Sequence, residues 1–135
     1  MTAEEVKQAT CQVIGKGESG TGWLISPELV LTAYHCVTTE FVAGENTTIR
    51  FRVGSTEIEL SVTPESFDVD LDVCLLRLHE PVPIAPIRID IAPPREGEQW
   101  SAFGFPVVKL ALGHYLQGGI QQVLSTRLHG VDLDL

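Results

Sequence analysis

Two short apolar runs, separated by a single proline and followed closely by a histidine, constrain this chain more than any other feature. The runs are Gly20–Ser26 and Glu28–Thr32, the proline is Pro27, and the histidine is His35. Both runs are rich in Leu, Ile and Val, which favour strands, whereas Pro27 lacks the N–H that a ladder needs. The segment therefore predicts two strands joined by a tight turn, with His35 presented just beyond the second strand.

Runs of similar composition recur along the first two thirds of the chain. They are bounded by Gly, Ser, Asn and Pro, and some alternate apolar with polar residues, as half-buried strands do. Helical periodicity is weak apart from the acidic start and a turn at Ala33–Val37. The chain is therefore predicted to be all-β, as a sandwich or barrel. The further predicted strands are Ala9–Ile14, Thr48–Val53, Glu57–Val62 and Val73–Leu78.

Composition and charge exclude several classes of protein. The 135 residues are 44% hydrophobic and 20% charged, which is typical of a folded globular domain rather than a disordered chain. A net charge of −9, from 9 basic and 18 acidic residues, opposes binding to phosphate backbones and anionic lipid headgroups. We therefore expect neither nucleic acid nor a membrane as a partner.

The N-terminus and the cysteines indicate the cellular compartment. Met1–Gln8 is polar and acidic, unlike a secretory signal peptide, and no apolar run approaches the roughly 20 residues that span a bilayer. Cys11, Cys36 and Cys74 are an odd number at irregular spacing, unlike a disulfide framework. We expect a cytoplasmic protein in which Cys36 and Cys74 are buried small hydrophobes.

The spacing of Cys and His residues does not predict a metal site. His35 and Cys36 are adjacent, and the sequence contains neither a Cys-x-x-Cys nor a His-x-x-x-His pair. We therefore predict no metal and no cofactor.

Two residues are candidates for acid–base chemistry. His35 lies just past an apolar strand, and Asp72 lies where the polar loop Phe67–Leu71 enters the apolar strand Val73–Leu78. An imidazole can activate a serine hydroxyl as a general base, and a carboxylate bonded to its Nδ1–H can hold the required tautomer. Taken singly, each residue also has an ordinary alternative, since His35 could be a core or turn histidine and Asp72 a turn residue that bonds local backbone.

The contexts of these two residues resemble a known family. Thr32-Ala33-Tyr34-His35-Cys36 is similar to the Thr-Ala-Ala-His-Cys motif of trypsin-like (chymotrypsin-fold) serine proteases, with Tyr34 as the altered position. Asp72-Val73-Cys74-Leu75-Leu76-Arg77-Leu78 is similar to their Asp-Ile-Ala-Leu-Leu-Arg-Leu strand. The resemblance implies that His35 is the general base and Asp72 its orienter. In secreted members a disulfide joins the cysteine after the histidine to an upstream cysteine, and the equivalent position here is Gly20. The absence of that bridge fits a reducing compartment or one of the simpler bacterial members of the family.

The resemblance also implies an architecture, a chymotrypsin-like double β-barrel. Residues 1–88 would form a complete first barrel, and the proline-rich residues 89–97 would form the linker. Residues 98–135 would begin the second barrel, with strands near Glu98–Pro106 and Gly118–Leu124 and a third near the C-terminus. The second barrel would be incomplete, since a two-barrel domain needs about 200 to 250 residues.

The third member of a triad, a nucleophilic serine, is not identifiable. Ser19 lies in Gly17-Glu18-Ser19-Gly20, but it belongs to the strand upstream of His35, where the family has a structural segment. None of the other serines has a Gly-x-Ser-Gly context that could build an oxyanion hole from backbone N–H groups. Two functions therefore remain open. In the first, the chain is the N-terminal portion of a serine endopeptidase that acts on polypeptides. The chain alone would be inactive and would need the remaining second-barrel segment in cis or in trans. Regulatory domains or partner proteins would control the assembled enzyme. In the second, it is a catalytically inactive trypsin-like module used as a binding or sensor domain.

Overall fold

The fold is almost entirely β-structure. The computed structural model describes residues 1–16, 19–90, 92–105, 114–119, 125–128 and 131–134. Two α-helices, α1 (Ala3–Gln8) and α2 (Thr38–Ala43), and a 3-10 helix at Tyr34–Cys36 accompany the strands in these residues. The strands are β1 (Thr10–Ile14), β2 (Ser19–Ser26), β3 (Leu29–Thr32), β4 (Thr47–Val53), β5 (Thr56–Asp68), β6 (Val73–Leu78), β7 (Gln99–Gly104), β8 (His114–Gly119), β9 (Ser125–Leu128) and β10 (Val131–Asp134).

The first six strands form a closed antiparallel barrel in the order β1-β2-β3-β6-β5-β4. Closure occurs where β4 returns to β1, with Cys11 opposite Phe51 and Val13 opposite Ile49. A closed barrel leaves no edge strand, so every strand has a partner on both sides. This arrangement confirms the predicted all-β class and the first barrel of a chymotrypsin-like fold.

Alternation along each strand fills the interior of the barrel. On β4, Ile49 and Phe51 are fully buried while the intervening Arg50 is partly exposed, and on β6 Cys74, Leu76 and Leu78 point inward. This period of two is the pattern of a strand with one face on a core. Burial of a side chain as large as Phe51 stabilises the fold by roughly 1.5–3 kcal/mol, so the interior accounts for much of the stability of the barrel.

Strand β5 is much longer than predicted, running from Thr56 to Asp68 rather than ending at Val62. The pairing with β6 shifts register between Pro64 and Ser66 and then continues to Phe67 and Asp68. The prediction ended the strand early because proline and the polar residues around it resemble a loop, whereas a bulge accommodates them within the ladder. Phe67 and Asp68, predicted as loop, are therefore strand residues.

The helical segments were only partly predicted. Helix α1 confirms the acidic helical start, and its capping box joins Thr2 and Glu5. The 3-10 helix confirms the turn predicted within Ala33–Val37. Helix α2 was not predicted, because its six residues are too few to show a helical period and three of them are β-branched. It ends at Gly44, whose φ of 67° is a left-handed helix stop.

The remaining strands form two separate hairpin-like pairs, β7 with β8 and β9 with β10. The predicted strand at Glu98–Pro106 is confirmed as β7. A second strand was predicted at Gly118–Leu124, and its last five residues lie outside the described part of the chain. The chain divides into two compact units, Met1–Arg88 with Phe103–His114 and Ile89–Ala102 with Tyr115–Leu135. The predicted boundaries 1–88, 89–97 and 98–135 stay a prediction.

Candidate active site

Strand β3 and the 3-10 helix together place His35. Thr32 ends the strand, and its hydroxyl donates to the carbonyl of Thr21 on β2 at 2.8 Å, which ties the hairpin together. After Ala33 the chain closes a tight turn in which the Cys36 N–H donates to the Ala33 carbonyl at 3.2 Å. Cys36 is buried, whereas the His35 side chain is 60% exposed. The turn therefore anchors itself in the core and turns the imidazole outward.

Asp72 is placed by the short turn between β5 and β6. The Asp72 N–H donates to the Val69 carbonyl at 3.2 Å, and the Leu71 N–H donates to Oδ1 of Asp68 at 3.1 Å. Asp72 has a φ of 54°, the one left-handed conformation found at a non-glycine residue in the described part of the chain. This conformation costs roughly 1–3 kcal/mol unless its surroundings hold it, although Asp tolerates it better than most residues.

The structure brings the two predicted site residues together. Oδ2 of Asp72 lies 2.6 Å from Nδ1 of His35, and Oδ1 accepts the His35 backbone N–H at 2.9 Å. The Tyr34 N–H donates to the Asp72 backbone carbonyl at 3.2 Å. With the carboxylate on Nδ1, the proton of a neutral imidazole is held on that nitrogen, so Nε2 is the nitrogen able to accept another proton.

These hydrogen bonds also set the electrostatics of the pair. The side-chain bond from His35 holds the pKa of Asp72 below its ordinary value, and the backbone N–H of His35 adds to the same effect. The Asp72 side chain is nevertheless 47% exposed, rather than drawn inward by the apolar strand that follows it. Water screens the pair in this state, so its contribution to stability is that of a surface ion pair.

All three cysteines are buried thiols, which confirms the prediction for Cys36 and Cys74. Burial raises the pKa of Cys11 to about 12 and that of Cys74 to about 11, because a thiolate would lose its hydration there. These two thiols are therefore unreactive in the folded state. A Cβ built on Gly20 would overlap Sγ of Cys36, so the position that carries the second cysteine in secreted relatives faces Cys36 here as well.

An aromatic cluster beside the pair was not predicted. The rings of Tyr34 and Phe67 stack with centroids 4.8 Å apart and planes 16° apart, and Phe41 packs edge-on against Phe67 at 4.6 Å and against Tyr34 at 5.9 Å. Tyr34 is the altered position of the histidine motif, and that substitution was the available signal. Phe67 gave none, because its segment was predicted to be a loop.

The described residues contain neither a candidate metal site nor a membrane-spanning helix. Within the described ranges, no group of three or more His, Cys, Asp or Glu residues is arranged to hold a metal ion. Among the same residues, no helix is long and apolar enough to cross a membrane.

The chain belongs to the family of trypsin-like peptidase domains. The model of that family matches residues 20–133, which include both His35 and Asp72. A comparison with curated proteins returned no match. The barrel and the His35–Asp72 pair therefore lie in a trypsin-like peptidase domain, the class that the sequence motifs resemble. The chain fits the N-terminal part of that domain.

Solved structures of bacterial proteases share the fold. The protease domain of MamO from Magnetospirillum magneticum has a TM-score of 0.67 and 17% identity, with 96% of this chain and 69% of that chain covered. The active form of the Rv3671c protease from M. tuberculosis has a TM-score of 0.68 and 22% identity, covering 96% and 58%. A serine endoprotease from Yersinia pestis has a TM-score of 0.73 and 18% identity, covering 91% and 46%. The chain thus spans from about half to about two thirds of their lengths.

Proposed function

We propose that this chain carries the base half of a serine endopeptidase site, with His35 as general base and Asp72 as its orienter. The observation that carries the proposal is the double contact of the Asp72 carboxylate with Nδ1 and with the backbone N–H of His35. The two contacts fix both the ring and the turn that bears it. Membership of the trypsin-like peptidase family supports the same assignment.

The proposed chemistry follows from that geometry. A serine hydroxyl attacks the peptide carbonyl while Nε2 of His35 takes its proton, and Asp72 stabilises the imidazolium that forms. The imidazolium then gives the proton to the leaving amine, and a water repeats the sequence to release the acyl group. Asp72 keeps its own negative charge throughout, in keeping with its lowered pKa.

The serine, under this proposal, lies outside residues 1–135 and comes from the remaining second-barrel segment, in cis or in trans. Ser19 has a Gly-x-Ser-Gly sequence but lies on β2, upstream of His35, and no other serine of the sequence has that context. The substrate is a polypeptide, and regulatory domains or partner proteins control the assembled site. We further propose a cytoplasmic location. We also propose that neither nucleic acid nor a membrane is a partner, since the net charge of −9 disfavours binding to either.

The test uses the protein that contains this chain, assayed for peptide cleavage. His35→Ala is expected to reduce kcat by about 10⁶-fold, because removal of a triad member disables the whole unit. His79→Ala is the matched control, because His79 contacts Thr63 on the barrel wall and not Asp72. Wild-type turnover in His35→Ala would remove His35 from the mechanism.

A fluorophosphonate probe separates the two functions left open by the sequence. It is expected to label a serine of the complete protein and to leave the 135-residue chain unlabelled, since the one Gly-x-Ser-Gly serine of the sequence, Ser19, lies on β2 upstream of His35. Labelling of the chain alone would contradict the proposed location of the nucleophile. A folded complete protein that stays unlabelled and has no serine in Gly-x-Ser-Gly context beyond residue 135, in its own sequence or in a partner chain, would instead favour the inactive binding or sensor module.

A further inference from the structure

The aromatic cluster joins the two segments that carry the proposed site. Tyr34 belongs to the 3-10 helix that presents His35, and Phe67 lies near the end of β5, from which the chain turns to Asp72. Their rings are nearly parallel at a centroid distance of 4.8 Å, within the range of favourable stacking. A side-chain contact of this kind holds the two segments together independently of the hydrogen bonds between them.

Two rings of the cluster pack against the barrel core, and the third is accessible to solvent. Tyr34 and Phe41 are partly buried and pack against the barrel core, whereas Phe67 is 48% exposed. In the ladder Phe67 lies opposite Cys74, two residues beyond Asp72. The rings of Tyr34 and Phe41, packed on the core, therefore contact the end of β5 from which the turn to Asp72 begins.

The conformation of Asp72 makes such support necessary. Its left-handed φ of 54° costs free energy in a residue with a Cβ, although less in Asp than in most residues, and neighbouring contacts offset that cost. The hydrogen bonds at this residue include Asp72 N–H to Val69, Tyr34 N–H to the Asp72 carbonyl, and two bonds with His35 that are exposed to water. The ring stack adds an apolar contact between the two segments that carry these groups.

We infer that Tyr34 and Phe67 are positioning residues, whose stacked rings hold the carboxylate of Asp72 against the imidazole of His35. The inference rests on the proposed function only for its consequence in catalysis, because the juxtaposition itself belongs to the isolated chain. It also explains why an aromatic residue occupies the position of the motif where similar sequences carry alanine. Here Tyr34 supplies both a ring that stacks on Phe67 and a backbone N–H that donates to the carbonyl of Asp72.

The primary test is a nuclear magnetic resonance measurement on the 135-residue chain. Phe67→Ala is expected to weaken the His35–Asp72 hydrogen bond, so that the Nδ1–H signal of His35 broadens through exchange with water and the pKa of Asp72 rises toward its ordinary 3.8. Phe67→Tyr keeps the ring and is expected to restore both readouts. A residue that served only stability would lower the free energy of unfolding without moving either readout in the folded chain.

Two further variants make the test decisive. Val69→Ala removes an exposed apolar side chain from the same turn, where only its backbone carbonyl is used, and is expected to leave both readouts at their wild-type values. Phe67→Leu keeps apolar volume without a ring, so it decides the question if Phe67→Ala does not fold. Wild-type Nδ1–H signal and Asp72 pKa in folded Phe67→Ala or in folded Phe67→Leu would overturn the inference.

Kinetics of the complete protein distinguish this inference from the proposed function. Phe67→Ala is expected to lower kcat by about tenfold or more with little change in KM, because misplacement of a catalytic group acts on the chemical step. If the complete protein shows no hydrolysis but the resonance readouts shift as expected, the endopeptidase proposal fails and the positioning role stands. If hydrolysis is normal in Phe67→Ala and the readouts do not move, only the positioning role fails.

Discussion

Asp72 grips His35 at two points, with Oδ2 on the ring nitrogen Nδ1 at 2.6 Å and Oδ1 on the backbone N–H at 2.9 Å. A single contact would leave the ring free to rotate about the carboxylate oxygen. The second contact fixes the carboxylate relative to the main chain that bears the ring. The tautomer and the orientation of the imidazole are therefore set before any substrate binds, which is the preorganisation that general-base catalysis requires.

Stability of the chain is expected to fall in acid, in part through this pair. The pKa of Asp72 is lowered in the folded state, so its ionised form stabilises the fold above the ordinary value of 3.8, and this contribution disappears as the pH falls through the lower folded pKa. Because both side chains are about half exposed, the effect is below ~1 kcal/mol. Urea unfolding of wild type and Asp72→Asn between about pH 6 and pH 2 measures it.

The difference in unfolding free energy between wild type and Asp72→Asn should shrink as the pH falls. Glu80→Gln, which removes an exposed acid outside the pair, provides the control. Its difference in unfolding free energy from wild type should not shrink in this way. A difference that grows toward low pH would reverse the assigned sign and contradict the lowered pKa of Asp72.

Asp72→Asn is also expected to disable the complete endopeptidase while leaving its fold intact. An asparagine amide can donate to Nδ1 and so favour the wrong tautomer of His35, and the expected loss in kcat is about 10⁴-fold near neutral pH. Steady-state peptide hydrolysis measures it, with circular dichroism as the check on folding. Asp70→Asn, in the same turn, should retain most of the turnover. Equal losses in the two variants would assign the effect to the turn rather than to the Nδ1 contact.

The sequence was sufficient to predict the first barrel and the contact between His35 and Asp72, whose catalytic roles stay predictions. Both features depend on local patterns. Apolar runs bounded by turn residues identify strands, and the motifs around His35 and Asp72 are each contiguous. The extension of β5 past Pro64 was not predictable in this way. It depends on a partner strand that follows it in the chain and on a bulge that restores pairing, and neither is visible in a window of residues around Pro64.

The aromatic cluster was missed for the same physical reason. Tyr34 and Phe67 are far apart in sequence, and they meet only because β3 and β5 both flank β6 in the closed barrel. A contact of this kind is a property of strand order. Side-chain exposure is likewise set by the whole fold, which explains why Asp72 remains half exposed although an apolar strand follows it.

The thiols are expected to resist alkylation until the chain unfolds. Cys11 and Cys74 are buried and have pKa values raised to about 12 and about 11, so the reactive thiolate is scarce at neutral pH. Iodoacetamide labelling at about pH 8, followed by mass spectrometry, should modify both thiols only in denaturant. Rapid labelling of Cys11 in the native chain at the rate of a small-molecule thiol would show that β1 opens readily, contrary to the closed barrel.

Glu40 is expected to stabilise the turn between β1 and β2. It is 2% exposed, and its Oε1 accepts the Lys16 backbone N–H at 2.5 Å. Glu40→Ala leaves that N–H without its acceptor and should lower the unfolding free energy by about 1–3 kcal/mol. Glu40→Gln keeps an acceptor oxygen for the Lys16 N–H, so it should lie closer to wild type.

Glu45→Ala is the matched control for Glu40, since Glu45 pairs with the Lys16 side chain at the surface and should contribute no more than about 1 kcal/mol. Denaturant unfolding of the three variants ranks the two acids. If Glu40→Ala costs no more than Glu45→Ala, the buried carboxylate has no special role in holding the turn.

Gly20→Cys is expected to form a disulfide with Cys36 under oxidising conditions. A Cβ at position 20 points directly at Sγ of Cys36, so the two sulfurs can bond with little movement of the backbone. Closing a loop of about 15 residues should raise the unfolding free energy by up to ~3 kcal/mol relative to the reduced form of the same variant. Intact mass before and after reduction reports the bond, and a reductant-dependent Tm reports its effect.

Gly20→Ala isolates the cost of the added Cβ and should lower stability by roughly 1–3 kcal/mol, because Cys36 is packed against that position. If the oxidised Gly20→Cys variant keeps both thiols, β2 and the turn bearing His35 do not approach each other as closely as the structure has them.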